Sequence, residues 1–170
     1  MYLYFEKLFD KEKCSRLSNI LRLWYEENRL HHEIDMPTYY ANSYGAGRIP
    51  EFEKELFELT PMIKEKTGMQ NIVEENSFAR IYFDGGALKR HRDRVGLDLT
   101  LSVCLFSNID KPWPLYVEVE PNVINEFETP VGDGALILGT KMDHWRDDLV
   151  CTSKQAVIQA FFHWRIDNAS

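Results

Sequence analysis

The first seventy or so residues space their apolar side chains at a helical interval, and the remainder space them mostly as strands, with the change near Asn71. Cys14, Leu17, Leu21 and Trp24 recur three and four residues apart, with Ile20 and Tyr25 beside them. That spacing predicts a helix from about Lys11 to Glu27, capped by Asp10. A loop rich in Tyr, Gly and Pro should follow, from about Asn28 to Arg48. Pro50 suits the first turn of a second helix, with Phe52, Leu56 and Leu59 facing inward. Thr60-Pro61 reads as the cap and first position of a further turn, and Gly68 as its stop.

Beyond Phe78, short β-rich runs alternate with turns. Strands are expected near Phe78–Phe83, Leu97–Phe106, Leu115–Glu120, Asn122–Glu128, Ala135–Leu138, Asp143–Arg146 and Ala156–Trp164. Asp84-Gly-Gly and Gly132-Asp-Gly mark turns between them. Short strands at this spacing predict an antiparallel sandwich or barrel such as a jelly roll, mainly β with N-terminal α-helices over one outer face. The chain is 170 residues long, which fits a single domain over 1–170. Its helical support would run to about residue 70 and its β core over about 71–166.

Composition narrows the function classes. Hydrophobic residues make up 44% and aromatic residues 13%, which excludes disorder as the main state. A net charge of −7 argues against nucleic acid as a partner, since phosphate binding needs a basic face. No apolar run approaches the ~20 residues that span a bilayer, so no membrane partner is expected. The N-terminal segment lacks the basic and apolar regions of a signal peptide. Cys14, Cys104 and Cys151 are widely spaced and form no CxxC pair, which points to a reducing cytoplasm rather than a disulfide framework.

Four features carry candidate chemistry. In an extended segment His91 and Asp93 point to one side, so an imidazole and a carboxylate can converge. Taken alone, Lys89-Arg90-His91-Arg92-Asp93-Arg94 also reads as a surface charge cluster. His144 arrives from a distant strand, as a site of two histidines and one carboxylate for Fe(II) requires, although a lone histidine on a loop is commoner. Lys154 lies ten residues on, before the last strand, where a cation can pair with a carboxylate or simply be solvated. Tyr82 lies nine residues before His91 and can donate to the same carboxylate, or be one more buried tyrosine.

The ordered set Tyr82, His91-x-Asp93, His144, Lys154 resembles the iron(II)- and 2-oxoglutarate-dependent dioxygenases, in their prolyl 4-hydroxylase-like branch. Leu99-Thr-Leu-Ser-Val-Cys-Leu-Phe-Ser-Asn is similar to a core strand of that family, and Val131-Gly-Asp-Gly-Ala-Leu-Ile-Leu to the strand leading to its distal histidine. The similarity covers about Phe78 to Trp164. It implies a double-stranded β-helix with His91, Asp93 and His144 as iron ligands. It further implies Lys154 as the salt-bridge partner of the distal 2-oxoglutarate carboxylate, and Tyr82 as its hydrogen-bond donor. The implied cofactors are Fe(2+), 2-oxoglutarate as co-substrate and O2, with room for ascorbate as an accessory reductant.

The activity implied is hydroxylation of an unactivated C–H with release of succinate and CO2. The target would be a prolyl residue of a peptide or a small amino-acid-like metabolite. Lys89-Arg90 departs from the family's proline-containing lead-in, which weighs against peptidyl proline. A carboxylate at Asp93 disfavours the related halogenases. The competing class is a non-enzymatic, cupin-like jelly roll that binds a metal or a sugar. Such a module has no need of the carboxylate clamp that Lys154 and Tyr82 would form.

Arg94, Arg146 and Arg165 are candidates for gripping a substrate carboxylate or phosphate. Arg146 is favoured because it shares the face of His144. Tyr39-Tyr40 and Tyr44-Gly-Ala-Gly read as a lid over the pocket or as a plain surface loop. His31 and His32 read as solvated, and His163 as lying on the outer face of its strand.

Overall fold

The computed structural model describes residues 1–32 and 42–167. Its elements are β1 (Tyr2–Phe5), α1 (Lys11–Glu26), β2 (Ser43–Gly47), α2 (Pro50–Thr67), β3 (Ile72–Tyr82), β4 (Leu88–His91), β5 (Leu99–Ser107), β6 (Leu115–Glu120), β7 (Val123–Phe127), β8 (Gly134–Ile137), β9 (His144–Arg146) and β10 (Val157–Ile166). They form a six-stranded sheet in the order β1-β8-β5-β10-β3-β2 and a four-stranded sheet in the order β4-β9-β6-β7. Every paired neighbour is antiparallel. The two sheets face each other as a jelly roll: Leu88, Leu115, Val117 and Phe127 of the smaller pack with Ala135 and Ile137 of the larger.

The larger sheet is covered on both sides, and alternate residues of its strands separate the two jobs. On β5, Leu99, Leu101, Val103 and Leu105 join the core under the helices, as do Ile158, Ala160, Phe162 and Trp164 of β10. Thr100 and Ser102 of β5, with Phe161 and His163 of β10, face the opposite way, into a cavity between the sheets.

The helices are pinned to each other and to this sheet. Asp10 caps α1 by accepting from the Lys13 amide at 2.7 Å. Glu55 of α2, 1% exposed, accepts from Lys13 Nζ at 2.7 Å and Arg16 Nη2 at 2.6 Å of α1. Trp164 Nε1 donates to Thr60 Oγ1 at 2.8 Å, which joins α2 to β10. Among the described residues, no helix is long and apolar enough to cross a membrane.

Two expectations about the first seventy residues change. That stretch is not only helical, because β1 and β2 form the two edges of the large sheet. β2 carries Gly45 and Gly47, which depress β-propensity and hide it from a sequence reading. Its glycines make room instead: a Cβ on Gly45 would lie 2.6 Å from Phe78 Cε1 and 2.8 Å from the Ala79 carbonyl. The second change is that α2 runs through Pro61 without a break. Pro61 is exposed, so the hydrogen bond it forgoes lies on the solvent side, where water substitutes. Gly68 ends the helix in the left-handed conformation, φ 72°.

Candidate metal and co-substrate site

β4 and β9 pair so that His91 sits directly opposite His144. Asp93 follows two residues beyond the end of β4, and its amide donates to the Gly139 carbonyl at 2.9 Å. One carboxylate oxygen, Asp93 Oδ1, lies 3.5 Å from His91 Nε2 and 3.6 Å from His144 Nε2. Those distances are too long for strong hydrogen bonds and suit donors that share one metal ion. His91 Nδ1 faces the Lys89 carbonyl at 2.7 Å, and His144 Nδ1 faces the Met142 carbonyl at 3.0 Å. A carbonyl only accepts, so Nδ1 carries the proton in both rings and both Nε2 lone pairs are left for a metal.

The three side chains offer ligand atoms within 4.8 Å of one another. Two imidazoles and one carboxylate on one side of a metal, with open positions opposite, are the donor set of non-haem Fe(II) sites.

Electrostatics agree with that chemistry. Burial works against the Asp93 charge. The neighbouring His144 and His91 rings and the Thr100 hydroxyl outweigh it and hold the carboxyl well below the usual carboxylate range. Burial likewise opposes protonation of His91, but Asp93 and the Lys89 carbonyl raise its pKa overall.

The three residues sit at one end of a cavity of about 310 Å³. Its walls include Thr100 and Ser102 of β5, Phe161 and His163 of β10, and Phe78 and Arg80 of β3. Two residues past His144 on the same face of β9, Arg146 is 1% exposed. Its Nη1 donates to the Trp113 carbonyl, its Nη2 lies 3.4 Å from Ser102 Oγ, and its Nε has no acceptor among the described residues. Among the described residues Arg146 forms no ion pair. Burial alone pulls its pKa down to about 10. Tyr82 is fully buried beside it: the Trp113 ring lies 4.8 Å from the Tyr82 ring and 5.1 Å from Arg146 Cζ.

Lys154 is the expectation the structure overturns. It belongs to an exposed turn and borders an outer groove with Arg22, Tyr25 and Phe106, away from the cavity. The cause is the start of β10, which begins only at Val157. Asn108 Nδ2 ties the turn down by donating to the Lys154 carbonyl at 3.2 Å. The inward position on β10 opposite Arg80 is held by Gln159, 1% exposed.

Arg94 does line the cavity, at its mouth, and pairs with Glu75 at 3.5 Å. Arg165 lies outside and reaches Glu75 at 3.9 Å and Asp167 at 3.8 Å.

His163 is corrected as well, since it faces the cavity rather than the outside, with Nδ1 3.1 Å from the Asn76 carbonyl. Burial pushes its pKa down, toward the neutral ring. Arg80 escaped the sequence reading altogether. The signal available was its place two residues before Tyr82, on the same side of the strand. Of the expected lid, Tyr39 and Tyr40 lie outside the described residues. Tyr44 belongs to β2 and packs among Tyr25 and Phe83, with ring centroids 5.1 and 6.1 Å away. His31 and His32 are exposed, as expected.

No protein-family model matches the sequence, and neither does any curated protein. Solved structures do match over nearly the whole chain. A prolyl-4-hydroxylase from Pseudomonas putida superposes with a TM-score of 0.77 at 12% identity, covering 98% of this chain and 93% of that one. The viral collagen prolyl hydroxylase of Paramecium bursaria Chlorella virus-1, in complex with 2-oxoglutarate, gives 0.69 at 14% identity, covering 98% and 96%. HygX from Streptomyces hygroscopicus, with nickel and 2-oxoglutarate bound, gives 0.69 at 11% identity, covering 98% and 83%. The chain therefore has the double-stranded β-helix fold of the 2-oxoglutarate and iron(II) oxygenases.

Proposed function

We propose that the protein is an Fe(II)- and 2-oxoglutarate-dependent oxygenase that hydroxylates an unactivated C–H bond. One observation carries this reading. A two-histidine, one-carboxylate set opens onto a cavity between the sheets, and on the same strand as one of its histidines lies a buried guanidinium with no counter-anion among the described residues. A desolvated cation without a partner is costly, and a bound carboxylate removes that cost.

His91, His144 and Asp93 hold the metal. Thr100 Oγ1, donating to Asp93 Oδ2, keeps that carboxylate turned toward the histidines. Arg146, with Tyr82 and Ser102, receives the distal carboxylate of 2-oxoglutarate. It takes the role that the family resemblance assigns to Lys154. Leu88, Leu115 and Phe161 line the space between and limit the access of water. When bound, iron and 2-oxoglutarate supply the oxidising chemistry, in which O2 and the co-substrate give succinate, CO2 and one oxygen atom for the substrate.

The substrate is a prolyl residue or a small amino-acid-like molecule. The fold serves both kinds: one neighbour is a prolyl hydroxylase in complex with a peptide fragment, and HygX is also known with hygromycin B bound. The non-enzymatic jelly-roll reading leaves the Arg146 charge unexplained.

The test is a titration of the Fe(II)-loaded protein with 2-oxoglutarate without oxygen, read from the metal-to-keto-acid charge-transfer absorbance. Succinate is then measured after air is admitted. Both signals should need iron and 2-oxoglutarate together. A protein that binds iron but gives neither signal is the metal-binding module instead.

A further inference from the structure

The cavity wall is laid down in rows, each taking one residue from three neighbouring strands. Phe161 of β10 pairs with Phe78 of β3 and Ser102 of β5, and Arg146 Nη2 lies 3.4 Å from that serine's hydroxyl. The next row has His163 of β10 between Asn76 of β3 and Thr100 of β5. Thr100 Oγ1 donates to Asp93 Oδ2, so this row is level with the metal-binding set. Asn76, Thr100 and His163 all line the cavity.

The His163 ring is fixed in one tautomer. The ladder slips beside it: His163 pairs with Asn76 and Trp164 with Glu74, which leaves Glu75 without a partner on β10. Such a bulge bends the strand and re-aims the side chains next to it. The Asn76 carbonyl lies 3.1 Å from His163 Nδ1. A carbonyl only accepts, so Nδ1 carries the proton. Nε2 is then a bare acceptor, and no donor among the described residues reaches it. Burial lowers the pKa of the ring and keeps it neutral.

We infer that His163 Nε2 accepts a hydrogen bond from the substrate to be oxidised, which therefore carries an uncharged N–H or O–H donor beside an apolar body. The inference rests on the oxygenase reading above. Phe78, Leu97 and Phe161 line the same cavity and suit the apolar body. A substrate that fills this space expels water from Nε2, and only a donor on the substrate replaces it. An ammonium would be buried without a counter-anion, because Asp93, the one carboxylate among the described residues lining the cavity, goes to the metal. A peptide meets the demand with a backbone amide, and a small metabolite with an amide or a hydroxyl.

The experiment uses the full chain, isotopically labelled at its histidine nitrogens and loaded with Zn(II) and 2-oxoglutarate, near neutral pH. His163→Gln identifies the His163 signals by their loss from the magnetic resonance spectrum. In the parent, Nδ1 should carry the proton and Nε2 none. Matched probes are then titrated: N-acetyl-L-proline methylamide and its dimethylamide, pyrrolidinone and its N-methyl derivative, cyclohexanol and its methyl ether. In at least one pair the donor-bearing member should shift Nε2 and bind roughly ten-fold tighter, while its methylated partner leaves Nε2 unmoved. His163→Phe should bring that pair to within about two-fold of each other, and His163→Gln, whose side-chain carbonyl still accepts, should keep part of the preference. The dissociation constant for 2-oxoglutarate should stay within about two-fold in both variants, which also shows that they fold.

Four results overturn the proposal: a proton on Nε2 in the parent, every matched pair binding alike, no probe binding while 2-oxoglutarate still binds, or a preference that survives in His163→Phe. A parent protein that binds Zn(II) but no 2-oxoglutarate overturns the oxygenase reading itself, and the 2-oxoglutarate titration separates that failure from the others.

Discussion

Gly139 holds Asp93 in place twice over: its carbonyl accepts the Asp93 amide, and its missing side chain is the space the Asp93 carboxylate occupies. A Cβ there would overlap Asp93 Oδ2 and lie 2.7 Å from Thr100 Oγ1 and 2.8 Å from the Leu97 carbonyl. Gly139→Ala should therefore displace the carboxylate without touching a ligand. Metal affinity should fall by about 10- to 100-fold, the scale of losing a residue that orients a ligand, and Thr100→Val should give a smaller loss in the same direction. Co(II) titration of folded protein measures both. Unchanged affinity in Gly139→Ala would mean that Asp93 does not bind the metal.

Each ligand has its own signature. Replacing His91 or His144 with Ala should abolish stoichiometric Fe(II) binding, since each supplies one of three donors, while far-UV circular dichroism stays as in the parent. Asp93→Gly should keep some metal on the paired histidines but form no hydroxylated product. Metal analysis that finds a full equivalent of iron in both histidine variants would place the metal elsewhere.

Arg146 and Lys154 separate cleanly. Losing a charge-assisted hydrogen bond to a carboxylate costs roughly 1.5–3 kcal/mol, so Arg146→Met should weaken 2-oxoglutarate by about one to two orders of magnitude. Without co-substrate the same variant should melt no lower than the parent, because replacing a buried unpaired charge by an apolar side chain of similar size is neutral or favourable. Lys154→Ala should leave 2-oxoglutarate binding alone, since the residue borders the outer groove. The reverse ranking in a charge-transfer titration would return the clamp to Lys154.

A pH effect is expected far from the metal. Tyr4 donates to Asp133 Oδ2 at 2.6 Å, and burial and that carboxylate push its pKa above the usual phenol value. The folded state thus favours the neutral phenol. Its contribution is full below about pH 10, the unfolded value, and drains away as the pH rises toward the higher folded value. Tyr4→Phe should cost about 1 kcal/mol at neutral pH and flatten the alkaline fall in stability. Urea melts at pH 7 and above pH 10 decide it; parallel curves for the two proteins would leave the hydrogen bond without effect.

The clustering of His91, Asp93 and His144 was legible because its signal is local. His91 and Asp93 lie two apart, and His144 follows a turn and an apolar strand. The place of Lys154 was not, because it was set by counting from His144 across a connection whose length the chain does not advertise. β10 starts later than that count assumed, and its inward positions go to Val157 and Gln159. Arg80 and His163 were obscured by strands buried on both faces, where apolar residues on the helix side mask the alternation that marks the cavity side. β2 was missed because glycine lowers strand propensity at the positions where Phe78 needs the room.

His144 and Arg146 share β9, only three residues long. In a strand, sliding the chain by one residue exchanges its two faces. A slip in β9 would turn Trp145 inward and carry off together His144, the proposed metal ligand, and Arg146, the proposed cation for the co-substrate. The two functions cannot drift apart one mutation at a time. An insertion in the connection after β9 leaves both in register, whereas one in the turn between β8 and β9 endangers both. Length variation among working variants should therefore collect after Arg146 and avoid the few residues before His144.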